Sequence, residues 1–166
     1  MLVHTPQCGV QVANFGYSEM LSSQEVRSSL ECLSVRKAAL KATKEQIDRL
    51  RDINRQIALY DEKEPRKTGL LDEEFHLTIA NIGDNTYVAE FLENILVKHR
   101  IATYILPFKK ERIPHTYREH EDIIAALEHQ DPVLAEKYME IHFHNSTLSI
   151  MEKLQDYLDE QNNKRK

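Results

Sequence analysis

Eight histidines in a chain of 166 residues are the first feature of this sequence that could do chemistry, and three of them stand where a helix would bury them. Asp72 and His76 are four apart, so on a helix they share one face, with Phe75 and Ile79 beside them. His120 precedes Ile123, Ile124 and Leu127 by three, four and seven residues and so continues their apolar stripe. His142 follows Met139 and Ala135 by three and seven. Imidazoles and a carboxylate turned toward one interior suit a borderline divalent ion such as Zn²⁺, Ni²⁺ or Mn²⁺. Taken singly, each also reads as a hydrogen-bonded core residue. Burying an unpaired carboxylate is costly, so the Asp72–His76 pair tilts toward ligands, but spacing alone leaves both readings open.

The remaining polar positions are weaker signals. His4 falls in a hairpin, His115 and His129 at the ends of a helix, and His144 opposite His142; His99 fits an interior or a surface equally. Asn145, Ser146 and Ser149 follow His142 at three, four and seven, where a core-facing helix should be apolar. That reads as the wall of a wet cavity, or as a helix end turned to solvent. Arg27 and Arg100 are basic residues in otherwise apolar helices. A guanidinium grips carboxylates in bidentate fashion, so each is a candidate ligand clamp or a surface charge.

These residues need helices to hold them, and the composition supplies helix formers. Gly is 4 and Pro 5, too few for a sandwich or barrel, which needs a turn roughly every 8–12 residues. The predicted elements begin with a hairpin, Leu2-Val3-His4 and Val10-Gln11-Val12 around Thr5-Pro6-Gln7-Cys8-Gly9, and a linker over 14–21. A first helix over 24–42 carries Val26, Leu30, Leu33 and Leu40. Thr43 and Gln46 form a capping box for the second, with Ile47, Leu50, Ile53 (or Asn54) and Ile57 as its stripe. After a charged loop over 61–67, a third helix spans 70–80, ended at Gly83 as a C′ residue. Asn85 caps a fourth over 86–105, with Val88, Phe91, Leu92, Ile95 and Leu96 apolar, stopped by Pro107. A basic loop at 109–112 leads to a fifth over 114–128. Asp131-Pro132 starts a sixth running to about Leu158. The fold class is all-α, an antiparallel bundle of six to seven helices. Residues 1–21 form hairpin and linker, 22–160 the helical domain and 161–166 a polar tail.

The formal net charge is −5, with no basic excess or stripe apart from Lys164-Arg165-Lys166, which disfavours nucleic-acid binding by this chain alone. Two cysteines, Cys8 and Cys32, make neither a disulfide framework nor a zinc ribbon. No apolar run reaches the roughly 18 residues of a membrane span, and no secretory segment opens the chain, so a cytoplasmic protein is expected.

The ordered motifs resemble the effector-binding FCD domain of GntR-family transcription regulators of the FadR subgroup. Val26-Arg27-Ser28-Ser29-Leu30-Glu31 is similar to the family's R-x-x-L-E helix, and Asp72-Glu73-Glu74-Phe75-His76 to D-x-x-F-H. Gly83-Asp84-Asn85 is similar to its small-residue-plus-Asn turn, Glu119-His120 with the isoleucines after it to E-H-x-x-I, and Asp131, Ala135, Met139 and His142 to G-D-x-x-x-A-x-x-x-M-x-x-H. The resemblance spans about residues 23–155. It implies a divalent metal on Asp72, His76, His120 and His142, a small carboxylate effector with Arg27, Arg100 and Asn145 as candidate contacts, and a homodimer. It also makes residues 2–13 the remnant of a DNA-binding wing. The recognition helix of that winged helix-turn-helix is missing here, so operator DNA is a partner only of a form that carries it.

Two other classes compete with a regulator's sensor domain. A metalloenzyme would use the His₃Asp site to activate water, with Glu73, Glu74 or Glu119 as base. Sequence neighbours of a ligand point about 100° away on a helix, so these carboxylates are expected in solvent. A metal-free helical interaction domain is the third reading. The sensor is favoured, and no enzymatic activity is expected.

Overall fold

The computed structural model describes residues 2–5, 9–12, 17–105 and 109–164. Strands β1 (Leu2–Thr5) and β2 (Gly9–Val12) pair antiparallel, with Leu2 opposite Val12 and Thr5 opposite Gly9. The turn expected between them lies outside the described residues. Six helices follow: α1 (Tyr17–Ala39), α2 (Lys44–Ala58), α3 (Pro65–Ile82), α4 (Thr86–Ile105), α5 (Ile113–Glu128) and α6 (Pro132–Lys164). A single 3₁₀ turn, Lys110–Arg112, takes the place of the basic loop. The chain is an all-α bundle in which α1 packs on α6, α3 and α4, while α5 packs on α2 and α6.

The local chemistry explains most of the boundaries. Thr43 Oγ1 accepts from the Gln46 N–H at 3.3 Å, and the Thr43 N–H donates to Gln46 Oε1 at 2.9 Å, so α2 opens on a complete capping box. Its buried face is Ile47, Leu50, Ile53, Asn54 and Ile57. Asp131 Oδ1 accepts from the Val133 and Leu134 N–H groups and starts α6. Before it, Gln130 takes the left-handed conformation at φ 52°, and the Asp131 N–H reaches back to the Ala126 carbonyl at 3.0 Å, closing α5 in a Schellman-type turn.

Five expectations need correction. Residues 17–21 are helix rather than linker: α1 begins at Tyr17, and buried Met20 anchors its first turns. It also ends early, at Ala39, where short-range bonds from Leu40 and Lys41 tighten the last turn. Pro65 belongs to α3, because a proline at the first helical position costs no hydrogen bond. The helix α6 runs through Lys164, past the expected start of the tail. Finally, Gly83 is right-handed, at φ −62°, and Asp84 takes the left-handed turn at φ 54°. Glycine is needed at 83 for space: a Cβ there would sit 2.8 Å from the Ser34 carbonyl oxygen. It lets α3 cross close to α1.

The apolar core joins α2, α3 and α5 through Leu50, Ile53, Ile57, Phe75, Ile79, Ile123 and Leu127, with Val35, Ala38, Ala135 and Met139 from the flanking helices. Val88, Leu92 and Leu96 bury α4, but its Phe91 is exposed. The largest departure is α1. Val26 and Leu40, expected to face inward, are exposed, whereas Gln24, Arg27, Glu31 and Ser34 are buried.

Candidate metal centre

Asp72 and His76 stand one turn apart on α3, His120 comes from α5 and His142 from α6. All four are buried, and each offers a ligand atom within 4.8 Å of every other. Asp72 Oδ1 lies 3.6 Å from His120 Nε2, and Asp72 Oδ2 lies 3.9 Å from His76 Nε2. Those distances are too long for hydrogen bonds. They match the roughly 3–4 Å between two ligand atoms each about 2.1 Å from one ion. His76 Nε2 and His120 Nε2 are buried without any hydrogen-bond partner. Buried polar atoms are rarely left so. The donor set therefore fits a divalent ion on an observation independent of the motif.

The far nitrogen of each ring is held by a side chain from another helix. Glu31 Oε2, on α1, stands in close contact with His76 Nδ1. Asn54 Oδ1, on α2, lies 3.2 Å from His120 Nδ1. Glu119 Oε2, on α5, lies 2.9 Å from His142 Nδ1. The Asn54 orientation is fixed because its Nδ2 donates to the Tyr117 carbonyl at 3.0 Å and to Glu121 at 2.7 Å. Each Nδ1 thus faces an acceptor and carries the proton, which turns the Nε2 lone pair toward the cluster. Such outer partners orient metal-ligating histidines and raise their basicity.

Electrostatics favours the same state. Burial, reinforced by His142 and His76, holds the His120 pKa well below its usual value. Burial also lowers His142, against the opposing pull of Glu119. Burial alone would raise Glu31, but His76 and Arg27 outweigh it and hold the carboxyl at about 2. Glu119 likewise sits at about 2: burial opposes ionisation, and His142, Arg112 and Asn145 overcome it.

The sequence candidates for effector contact have partners. Arg27 is buried, donating through Nε and Nη2 to Glu31 at 3.0 and 2.9 Å, with its guanidinium 5.2 Å from the Phe143 ring centre. It is not a surface charge; it supports Glu31 and, through it, His76. Arg100 is half-exposed on α4 and donates to Glu73. Asn145 donates to Glu119 Oε1 at 2.8 Å. The expectation that Glu73 and Glu119 are solvated is wrong. Glu73 is 6% exposed beside Arg100, and Glu119 turns from α5 across to α6. Glu74 does reach the surface, paired with Arg49. The polar stretch of α6 is half-buried, and Asn145 and Ser149 line a cavity of about 390 Å³ with Arg112, His115 and Glu119. The side chains of His4 and His99 lie outside the described residues.

Sequence reasoning missed Glu31, Asn54 and Glu119 as partners of the rings. A signal existed for Asn54, a polar residue inside the apolar stripe of α2. Glu31 sits in the quoted R-x-x-L-E segment, but nothing local shows that it reaches His76.

Residues 23–145 match the FCD domain family model. The chain belongs to the FCD domain family. The HTH-type transcriptional repressor RspR of Escherichia coli is 25% identical over 156 residues, which cover 93% of this chain and 68% of RspR. The fold is similar to E. coli McbR/YncC, with a TM-score of 0.77 at 15% identity, covering 92% of this chain and 77% of that one. It is similar to Streptococcus agalactiae GntR, with a TM-score of 0.68 at 21% identity, covering 89% and 74%. It also resembles the metal-free FCD domain of TM0439, with a TM-score of 0.65 at 17% identity, covering 83% of this chain and 95% of that domain. Relatives and fold are those of GntR-family transcription regulators, not of enzymes. No helix among the described residues is long and apolar enough to cross a membrane.

Proposed function

We propose that this FCD domain is the sensor part of a GntR/FadR-type regulator, holding a divalent metal on Asp72, His76, His120 and His142 and reading a small organic acid beside it. The observation that carries the reading is the pair of buried Nε2 atoms, on His76 and His120, that have no hydrogen-bond partner and flank the Asp72 carboxylate. When bound, a six-coordinate ion offers open positions to carboxylate oxygens beyond its four protein ligands. Glu31, Asn54 and Glu119 orient the rings, and Asn145 lines a cavity together with Glu119, the partner of His142. Arg27 contributes through Glu31, and Arg100 would have to leave Glu73 to touch an acid. Zn²⁺, Ni²⁺ and Mn²⁺ all suit this donor set. The reading extends to a cytoplasmic homodimer, with operator DNA bound by a form carrying the winged helix-turn-helix.

The test is a thermal melt of zinc-loaded protein across a set of small organic acids. At least one acid raises the midpoint, and only with metal present. Acids that stabilise metal-loaded and chelated protein equally contradict the proposal.

A further inference from the structure

Past His142 the inward side of α6 stays polar for three turns. Asn145, Ser149 and Lys153 follow at intervals of three, four and four, which keeps all four residues in one narrow stripe of a 3.6-residue helix. Asn145, Ser149 and Lys153 are all half-buried. Side chains on a helix lean toward its N-terminus, so the Lys153 stem runs back along the stripe toward the histidines. Its surroundings agree. Burial draws its pKa down to about 8, Asp72 pulls the other way, and Lys109 and Arg112 add to the depression. Lys109 and Arg112 line the adjoining cavity, held by Asp156 at 2.7 Å and Glu119 at 2.6 Å. A chain of net charge −5 thus places two cations on the wall of a cavity that Asn145 and Ser149 also line, on the stripe that Lys153 continues. The cavity, about 390 Å³, is in the range that holds small ligands.

We propose that Lys153 is the second anchor of the effector, so that the pocket selects a small dicarboxylic acid, one carboxylate directed at the Asp72, His76, His120 and His142 cluster and the other paired with the Lys153 ammonium. A lysine that only filled space on this stripe would not distinguish one carboxylate from two. The inference rests on the metal reading above, and its test separates the two.

The experiment titrates the full chain with zinc and then measures, by calorimetry, the affinity of the loaded protein for malonate, succinate and glutarate against acetate, propionate and butyrate. At least one diacid should bind about ten- to a hundredfold more tightly than its one-carboxylate counterpart, the worth of one charge-assisted hydrogen bond. Lys153→Met, which keeps the apolar stem, should abolish that preference without changing zinc stoichiometry or monoacid affinity, and Lys153→Arg should retain most of it. Equal affinity for diacids and monoacids in the unmodified chain overturns the inference, and so does a diacid preference that survives Lys153→Met. Normal zinc uptake with no diacid preference overturns this inference alone. A chain that takes up no zinc overturns the metal reading and this one with it.

Discussion

One bundle interior is built by two opposite rules. On one side, Leu50, Ile53, Ile57, Ile79, Ile123 and Leu127 fill the space between α2, α3 and α5 with hydrocarbon. On the other, Arg27, Glu31, Asp72, His76, His120 and His142 crowd charge and imidazole into a volume just as dry. The two meet at aromatic contacts, the tightest the Phe75 ring stacked on His120 with centres 3.9 Å apart. The apolar side lowers the free energy of folding by removing hydrocarbon from water, at about 25 cal/mol per Å². The polar side costs stability unless every group finds a partner, since buried charges gain little over apolar replacements. The Nε2 atoms of His76 and His120 have none. A bundle that needed only to fold would have continued the first rule, so the second region marks what the domain holds rather than what holds the domain.

The contrast can be broken most forcefully from the apolar side. Leu50→Ala should lower unfolding free energy by about 2–5 kcal/mol in a denaturant titration and leave metal uptake of the folded fraction intact. On the polar side, Glu31→Gln and Glu119→Gln should weaken metal affinity about 10- to 100-fold in competition with a chromophoric chelator, the usual cost of losing an outer partner. If either variant bound metal normally, the partners of the Nδ1 atoms would be packing alone.

Acid should strike the same region. In the metal-free protein His120 and His142 titrate below 6.5, so the unfolded chain binds more protons just under that value. Their contribution is fully present above 6.5 and is lost as pH falls below it. Glu31 and Glu119, held at about 2, add a second loss from 4.5 downward. Denaturation midpoints between pH 7 and 5 should therefore drop, and the drop should shrink in a His120→Leu, His142→Leu double variant. The smallest effect belongs to the surface. Breaking the exposed Arg51–Glu128 pair with Arg51→Ala should change stability by no more than about 1 kcal/mol.

How legible each region was follows from its chemistry. The second helix could be read whole, from its capping box to Ile57, because its cap is local and its buried face is apolar with one period. The four cluster residues were also visible, since a histidine continuing an apolar stripe breaks a pattern that local sequence establishes. The first helix was not. Its inward face mixes Gln24, Arg27, Glu31 and Ser34 with Met20, Val35 and Ala38, so a search for apolar periodicity selected Val26 and Leu40, which face solvent. The ring partners were hidden for a related reason. Asn54 meets His120 across 66 residues, and Glu119 points to α6 although its neighbour in sequence faces the cluster. Such pairings exist only once the helices are packed.

The most direct test of the account is elemental analysis of the chain purified without chelator or histidine tag, beside His76→Ala and His142→Ala. The account predicts about one divalent ion per chain, held by the four cluster residues, and its loss from both variants. A metal-free chain that takes up no added zinc, or variants that keep the metal, would contradict it.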